Sequence, residues 1–338
     1  MAGRIVLFGA TGYTGQLAAR ALVARGAAPL LAARSRERVE ALAAELGGLE
    51  SAVADAGRPH TIRALLEPGD VLVSTVGPFV RWGEAAVRAA IDVGAHYVDS
   101  SGEPPFIRSV FERHGAAAEA AGAGLLTAFG YDFVPGNLAG ALALREAGPA
   151  AVAVDVGYFV AGGAAPSGGT RASAVSLLAE PAYAFCDGRL VTQRTARRLR
   201  ELDGRAAVSI GGTEQFALPR IHPGLRDARV WLGWFGPASR PLQALSAATA
   251  VATRVPGVRA ALGAAAGRLV RGSTGGPDAE ARRRARSLVS AIAADPGGRP
   301  LATVRLEGVG PYDFTAGALA WGACAAAGGG LRGPGALG

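Results

Sequence analysis

Through the first 150 residues, short continuous apolar runs alternate with longer stretches in which apolar residues recur at helical spacing. Residues 4–8 (RIVLF), 30–33, 51–54, 71–76, 96–98 and 125–129 predict six strands. The stretches between them predict helices over 16–25, 36–46, 60–66, 83–93 and 105–121, with Ser35 as the N-cap of the second. The strands are solidly apolar instead of alternating, so both of their faces are buried. Strands of that kind, separated by helices, predict a doubly wound parallel α/β sheet of the Rossmann type, covered on both sides.

The pattern changes beyond Gly148-Pro149, where a helix starting near Pro135 ends. Residues 151–160 alternate apolar and polar positions, 172–185 read as a helix, and 189–191, 206–210 and 302–307 read as further strands. This predicts an α+β domain with a mostly antiparallel sheet, serving substrate and subunit contacts, with a homodimer as the expected assembly. The apolar stretch 230–269 carries Trp231, Trp234 and Phe235, which suit either a lid over a lipophilic substrate or plain packing. The last apolar segment, 314–331, approaches the roughly 20 residues a membrane span needs. It is built of Gly and Ala and lacks basic anchors, so a buried core helix is expected and no integral span.

Composition narrows the chemistry. Of 338 residues half are apolar, and the net charge of +8 comes from 35 basic residues, every one an arginine. The arginines are scattered, which points to compositional bias and away from a nucleic-acid partner. Two clusters, 194–200 and 282–286, are expected on solvated helix faces. The absence of lysine excludes a Schiff-base lysine and any Tyr-x-x-x-Lys dehydrogenase pair. Two cysteines and four histidines stand far apart, so no metal site or disulfide framework is expected. The chain enters its first strand without a charged-then-apolar leader, and a cytoplasmic location is the expectation.

The first candidate site follows the first strand. Gly9-x-x-Gly12-x-x-Gly15, in GATGYTG, opens a helix. The three glycines suit a tight turn, backbone approach to a pyrophosphate, and close packing of helix on strand. The helix end, with Thr11, Tyr13 and Thr14 around it, offers free N–H groups and a positive dipole to the anion. At the end of the second strand an NAD site would carry Asp or Glu for the ribose hydroxyls. Here the run is Ala33-Arg34-Ser35-Arg36. Arg34 and Ser35 suit a 2′-phosphate, so the expected cofactor is NADPH. Asp55 is a candidate for the adenine amino group or a helix cap. Thr75, Gly77 and Pro78, after the fourth strand, are expected beside the nicotinamide ribose.

GATGYTG, AARS, STVGPF, HYVDSSGE (96–103) and AFGYDFVPGNLAG (128–140) occur in this order. Together they resemble the saccharopine dehydrogenase-like oxidoreductases, in particular the trans-acting enoyl reductase branch. The likeness covers about the first 140 residues, with SGGTRAS (167–173) as a later match. It implies a Rossmann domain over 1–149, an inserted domain over 150–309, and a returning C-terminal segment over 310–338. It also implies NAD(P)-linked reduction or oxidation of an imine or of a carbon–carbon double bond. The second half is more apolar than a saccharopine enzyme's and lacks a basic cluster for three carboxylates. That favours a small apolar substrate, including carrier- or polyketide-linked ones.

Hydride transfer to such a substrate needs a proton donor near the nicotinamide. Tyr131, Asp132 and Glu103 follow strands five and six at the ligand edge of the sheet and are the catalytic candidates. Tyr131 comes first, because a phenol brings no charge into an apolar site; its alternative is packing, with Asp132 capping the next helix. Ser101, Thr170 and Arg171 are candidates to bind the substrate's oxygen. The leading expectation is NADPH-dependent enoyl reduction. The alternatives are an imine or carbonyl reductase of secondary metabolism, and a non-catalytic NADP(H) sensor or scaffold.

Overall fold

All six N-terminal apolar runs form strands. The computed structural model describes residues 3–162, 167–168, 180–253, 255, 257–258 and 275–337. These divide into two compact units, one of residues up to 132 with 275–276 and 312–337, the other of the remainder.

In the first unit the order is β1 (Ile5–Phe8), α1 (Tyr13–Ala24), β2 (Leu30–Ala33), α2 (Arg36–Glu45), β3 (Ser51–Val53), α3 (His60–Arg63), β4 (Val71–Ser74), α4 (Phe79–Val93), β5 (His96–Asp99), α5 (Pro104–Ser109), α6 (Gly115–Ala120) and β6 (Gly124–Leu126). The sheet runs β6-β5-β4-β1-β2-β3, extended beyond β6 by the C-terminal strand Gly335–Leu337. Every pairing in it is parallel. The order in which strands are added reverses between β1 and β4, the switch point where open α/β sheets bind ligands. β1 and β4 are buried at all four positions. Each such Val, Leu or Ile contributes about 1.5–3 kcal/mol by leaving water. The returning helix Pro311–Ala327 packs Leu319, Ala320, Ala323 and Ala326 into the same core as Leu7, Leu31 and Val73. It is therefore the buried helix expected from its Gly/Ala content, and no helix among the described residues is long and apolar enough to cross a membrane.

α4 begins at Phe79, four residues before Gly83, because a distant carboxylate holds its first N–H groups (below). The single helix expected over 105–121 is broken by a π-turn at Val110–His114.

The second unit opens with α7 (Val134–Ala147), which packs on β7 (Ala153–Ala161) and on two later strands. The division thus falls at 132/133 and not at the Gly148-Pro149 breaker, since α7's apolar face is covered by the second sheet. β8 (Pro181–Cys186) and β9 (Arg189–Arg194) form a hairpin, followed by β10 (Leu199–Leu202), β11 (Arg205–Ile210), β12 (Asp227–Leu232), β13 (Arg286–Ala294) and β14 (Pro300–Val309). The order β10-β11-β12-β7-β13-β14, with β8 also on β12, is antiparallel except for β12 on β7. The end of the helix expected over 172–185 is strand β8, and residues 172–179 lie outside the described residues. The arginines of 194–200 lie on and between β9 and β10, not on a helix; Arg200 pairs with buried Asp155. Those of 282–286 span a short helix, Ala279–Arg284, and the start of β13. Trp231 is core: it packs with Phe159, Leu202 and Ala207, and its indole N–H donates to Asp155 at 2.8 Å.

Candidate functional site

The turn between β1 and α1 is shaped by its glycines. Gly9 has φ +92°, open to glycine and costly for a side chain. A Cβ on Gly15 would lie 2.1 Å from Gly9 O and 2.9 Å from Ala10 Cα, so only hydrogen lets the helix sit against the turn. Gly12 is the N-cap of α1, and no side chain caps that end. The first-turn N–H groups of Tyr13, Thr14 and Gly15 are therefore presented together at the positive end of α1, the chemistry an anion needs. Tyr13's ring is held elsewhere: it meets Tyr312 edge-on at 5.1 Å and lies over Gly276, where a Cβ would come within 2.6 Å of it. Thr11 contributes its carbonyl to the loop's own bracing, accepting from Gln16 Nε2 at 3.2 Å.

Beside this cradle, at the end of β2, Arg34 is exposed and has no protein partner among the described residues. Arg36 is committed to Glu40 at 3.3 Å. Ser35 is the N-cap of α2; its Oγ accepts the Arg38 N–H at 3.4 Å, which leaves its own hydrogen free to donate. Arg38 was not singled out from the sequence. Its guanidinium donates to Thr11 O at 3.0 Å and so ties the first turn of α2 to the glycine turn. Its spacing from Ser35, three residues on at a helix start, was the available signal. Asp55 closes its own turn, accepting from Gly57 N at 2.9 Å with Arg58 3.8 Å away, and it does not cap α3.

On the other side of the switch point Thr75 Oγ1 lies 3.2 Å from Gly9 O and latches the end of β4 to the glycine turn. Gly77 is exposed and Pro78 is the N-cap of α4. Glu103 departs from its expected role. It is buried, and its two carboxylate oxygens accept the N–H groups of Phe79 and Val80, each at 2.9 Å. It anchors α4 through two charge-assisted bonds at a helix N-terminus. Ser101 is also fully buried, and its Oγ accepts Glu103 N–H at 3.1 Å, so it shapes this loop from within.

Tyr131 and Asp132, neighbours in sequence, sit in different surroundings. Tyr131 is 1% exposed, its ring packs edge-on against Phe314, and its N–H donates to Thr315 Oγ1. Asp132 does not cap α7, whose N-cap is Phe133 with no side-chain bond. Its carboxyl lies against the Gly102 backbone, where a Cβ would stand 3.1 Å from Oδ2. Desolvation pushes it up to about 7. Thr170 and Arg171 lie outside the described residues. Among the described residues no group of three or more His, Cys, Asp or Glu could hold a metal.

Burial also raises Asp99 to about 6, against the bonds it accepts from Ala128 and Ser101 N–H. A carboxyl whose value is higher folded than unfolded stabilises the fold fully below the unfolded value of 3.8 and progressively less as pH rises through 6. The difference is on the order of 3 kcal/mol. Denaturant titrations from pH 4 to pH 7 are expected to show a component of falling stability that Asp99→Asn removes. An unchanged slope in the variant would show that Asp99 does not carry it.

A parallel sheet in the order 3-2-1-4-5-6, with a glycine turn at the switch point and an unpaired arginine at the end of β2, defines a Rossmann-type dinucleotide-binding unit. Residues 5–126 match the family described as the saccharopine dehydrogenase NADP binding domain. A trans-acting enoyl reductase of Mycobacterium leprae is 40% identical over 140 residues, covering 40% of this chain and 34% of that protein. One from Mycobacterium ulcerans is 37% identical over the same shares. The match thus spans about a third of the length of these curated relatives. Apo saccharopine dehydrogenase (L-Glu forming) from Saccharomyces cerevisiae aligns over 99% of this chain and 93% of its own, with TM-score 0.55 and 15% identity. That likeness is one of fold.

Proposed function

We propose that the chain is an NADPH-dependent reductase of a carbon–carbon double bond conjugated to a carbonyl, in a lipophilic, carrier- or polyketide-linked substrate. The observation that carries the reading is the place of the Asp132 carboxyl, against the Gly102 backbone on the ligand edge of an NADP-binding sheet, with no side chain among the described residues bonded to it and its value raised by desolvation to about 7. The double bond as target is supported by the names of the relatives that match over 140 residues. NADPH, when bound, supplies the hydride, which goes to the β-carbon. The first-turn N–H groups of α1 hold the pyrophosphate, and Arg34 with Ser35 holds the 2′-phosphate. Asp132 delivers the proton to the α-carbon or the enolate oxygen and is reprotonated from solvent. Its desolvation keeps a large neutral fraction at pH 7, as a donor requires. Tyr131 packs behind it.

Arg34→Ala is expected to weaken NADPH at least tenfold, about 1.4 kcal/mol, while leaving NADH within twofold. Arg36→Ala, whose guanidinium is held by Glu40, is expected to change neither. Equal losses of both cofactors in Arg34→Ala would remove it from the 2′-phosphate. The activity itself is tested by following NADPH oxidation with 2-enoyl thioesters of increasing chain length. Turnover that rises with chain length supports the proposal. Turnover confined to an amine plus 2-oxo acid would make the chain an imine reductase, and none at all would leave an NADP(H)-binding scaffold.

A further inference from the structure

The buried carboxylate of Asp99 is not used in the chemistry above, yet the ends of three adjacent strands meet on it. It closes β5 and is fully buried. In register it lies beside Ser74, the last residue of β4. One oxygen, Oδ1, accepts two main-chain N–H groups, Ser101 at 2.7 Å and Ala128 at 2.9 Å. Its other oxygen, Oδ2, is buried with no hydrogen-bond partner among the described residues, as are the hydroxyls of Tyr97 and Thr127. Its own carbonyl accepts Phe129 N–H at 2.7 Å.

Two chains of contacts leave this point. One runs from Ser101, whose Oγ accepts Glu103 N–H, to the Glu103 carboxylate and on to the Phe79 and Val80 N–H groups. Those are the first groups of α4, immediately after Gly77-Pro78. The other runs through Ala128, held at φ +55°, a left-handed conformation that disfavours alanine, and on along the backbone to Asp132. A bond to a buried carboxylate is the kind of restraint that holds such a residue there.

We infer that Asp99 is a positioning residue: without touching a ligand, it fixes the Gly77-Pro78 turn and the segment bearing Asp132, and so the nicotinamide end of the site. The inference rests on the NADP(H) reading above. It separates the two ends of the cofactor, because Asp99 ends β5 beside Ser74 of β4 and binds the segment after β6, while the adenine end depends on the end of β2.

The test compares NADPH with adenosine 2′,5′-bisphosphate, which has the adenine end and no nicotinamide, by calorimetric titration of the full chain. Asp99→Ala is expected to weaken NADPH at least tenfold and the bisphosphate less than twofold. Asp99→Asn, which can still accept both N–H bonds, is expected to recover most of the loss. If Asp99→Ala does not fold, Ser101→Ala carries the same comparison. It keeps both bonds to Asp99 and removes the acceptor for Glu103 N–H, and the same split is expected at reduced size. Equal loss of both ligands, or unchanged NADPH affinity, overturns the inference alone. A wild-type chain that binds neither ligand overturns the NADP(H) reading and this inference with it.

Discussion

Gly15→Ala is expected to raise the NADPH dissociation constant by at least 100-fold, about 2.7 kcal/mol. The added methyl would meet Gly9 O at 2.1 Å and the Ala10 Cα and O at 2.9 Å. All of these are backbone atoms, so no side chain can turn aside to relieve the clash. Helix α1 must back away from the β1 turn, and the N–H groups at its N-terminus move with it. Because an anion site of aligned N–H groups depends on their shared direction, a shift of an ångström is costly. The control is Gly26→Ala, at φ +79° with nothing within 4 Å of the added methyl. It is expected to lower thermal stability modestly by strain while leaving NADPH affinity unchanged. Calorimetric titration with circular dichroism on both variants separates the two effects. A Gly15→Ala protein that binds within threefold of wild type would show that this turn is not the cradle.

The second large effect is expected at Asp132. Asp132→Asn keeps size and polarity but cannot give up a proton, so turnover is expected to fall by about 100- to 1000-fold with NADPH affinity unchanged. The pH dependence fixes the assignment. A donor with its value at about 7 is active when protonated, so the wild-type rate should be high below 7 and fall as pH rises through it. The variant's residual rate should lack that falling limb. Tyr131→Phe is expected to cost no more than about threefold, within what loss of one polar contact explains, since Tyr131 is buried against Phe314. A large loss in Tyr131→Phe with little in Asp132→Asn would reverse the roles.

The sequence carried most of the first unit because its determinants are local. Apolar runs such as 71–74, a cap such as Ser35, and glycines at fixed spacing each act within a few residues, and the strands they mark form as expected. The parts that were not legible depend on partners far along the chain. The start of α4 is set by Glu103, more than twenty residues away, so spacing alone placed it four residues late. Tyr131 and Asp132 are neighbours, and which one packs is decided by Phe314 and Thr315 on the returning helix. Ser101 and Glu103 look like free polar groups at a strand's end; burial turns both into bracing. In the second unit the arginines of 194–200 imitate a solvated helix, but Arg194 pairs on β9 with β8, Arg200 pairs on β10 with β11 and with Asp155, and a turn with Ala196 at φ +53° joins the two strands. Arg34, Arg36 and Arg38 are alike in sequence, and only their partners tell them apart.

The most direct test of the central claim, that this sheet edge binds NADP(H) through Arg34 and the N-terminus of α1, is side-by-side calorimetric titration of the full chain with NADPH and NADH at one ionic strength. NADPH is expected to bind at least tenfold more tightly than NADH. Equal affinities, or a preference for NADH, would contradict it.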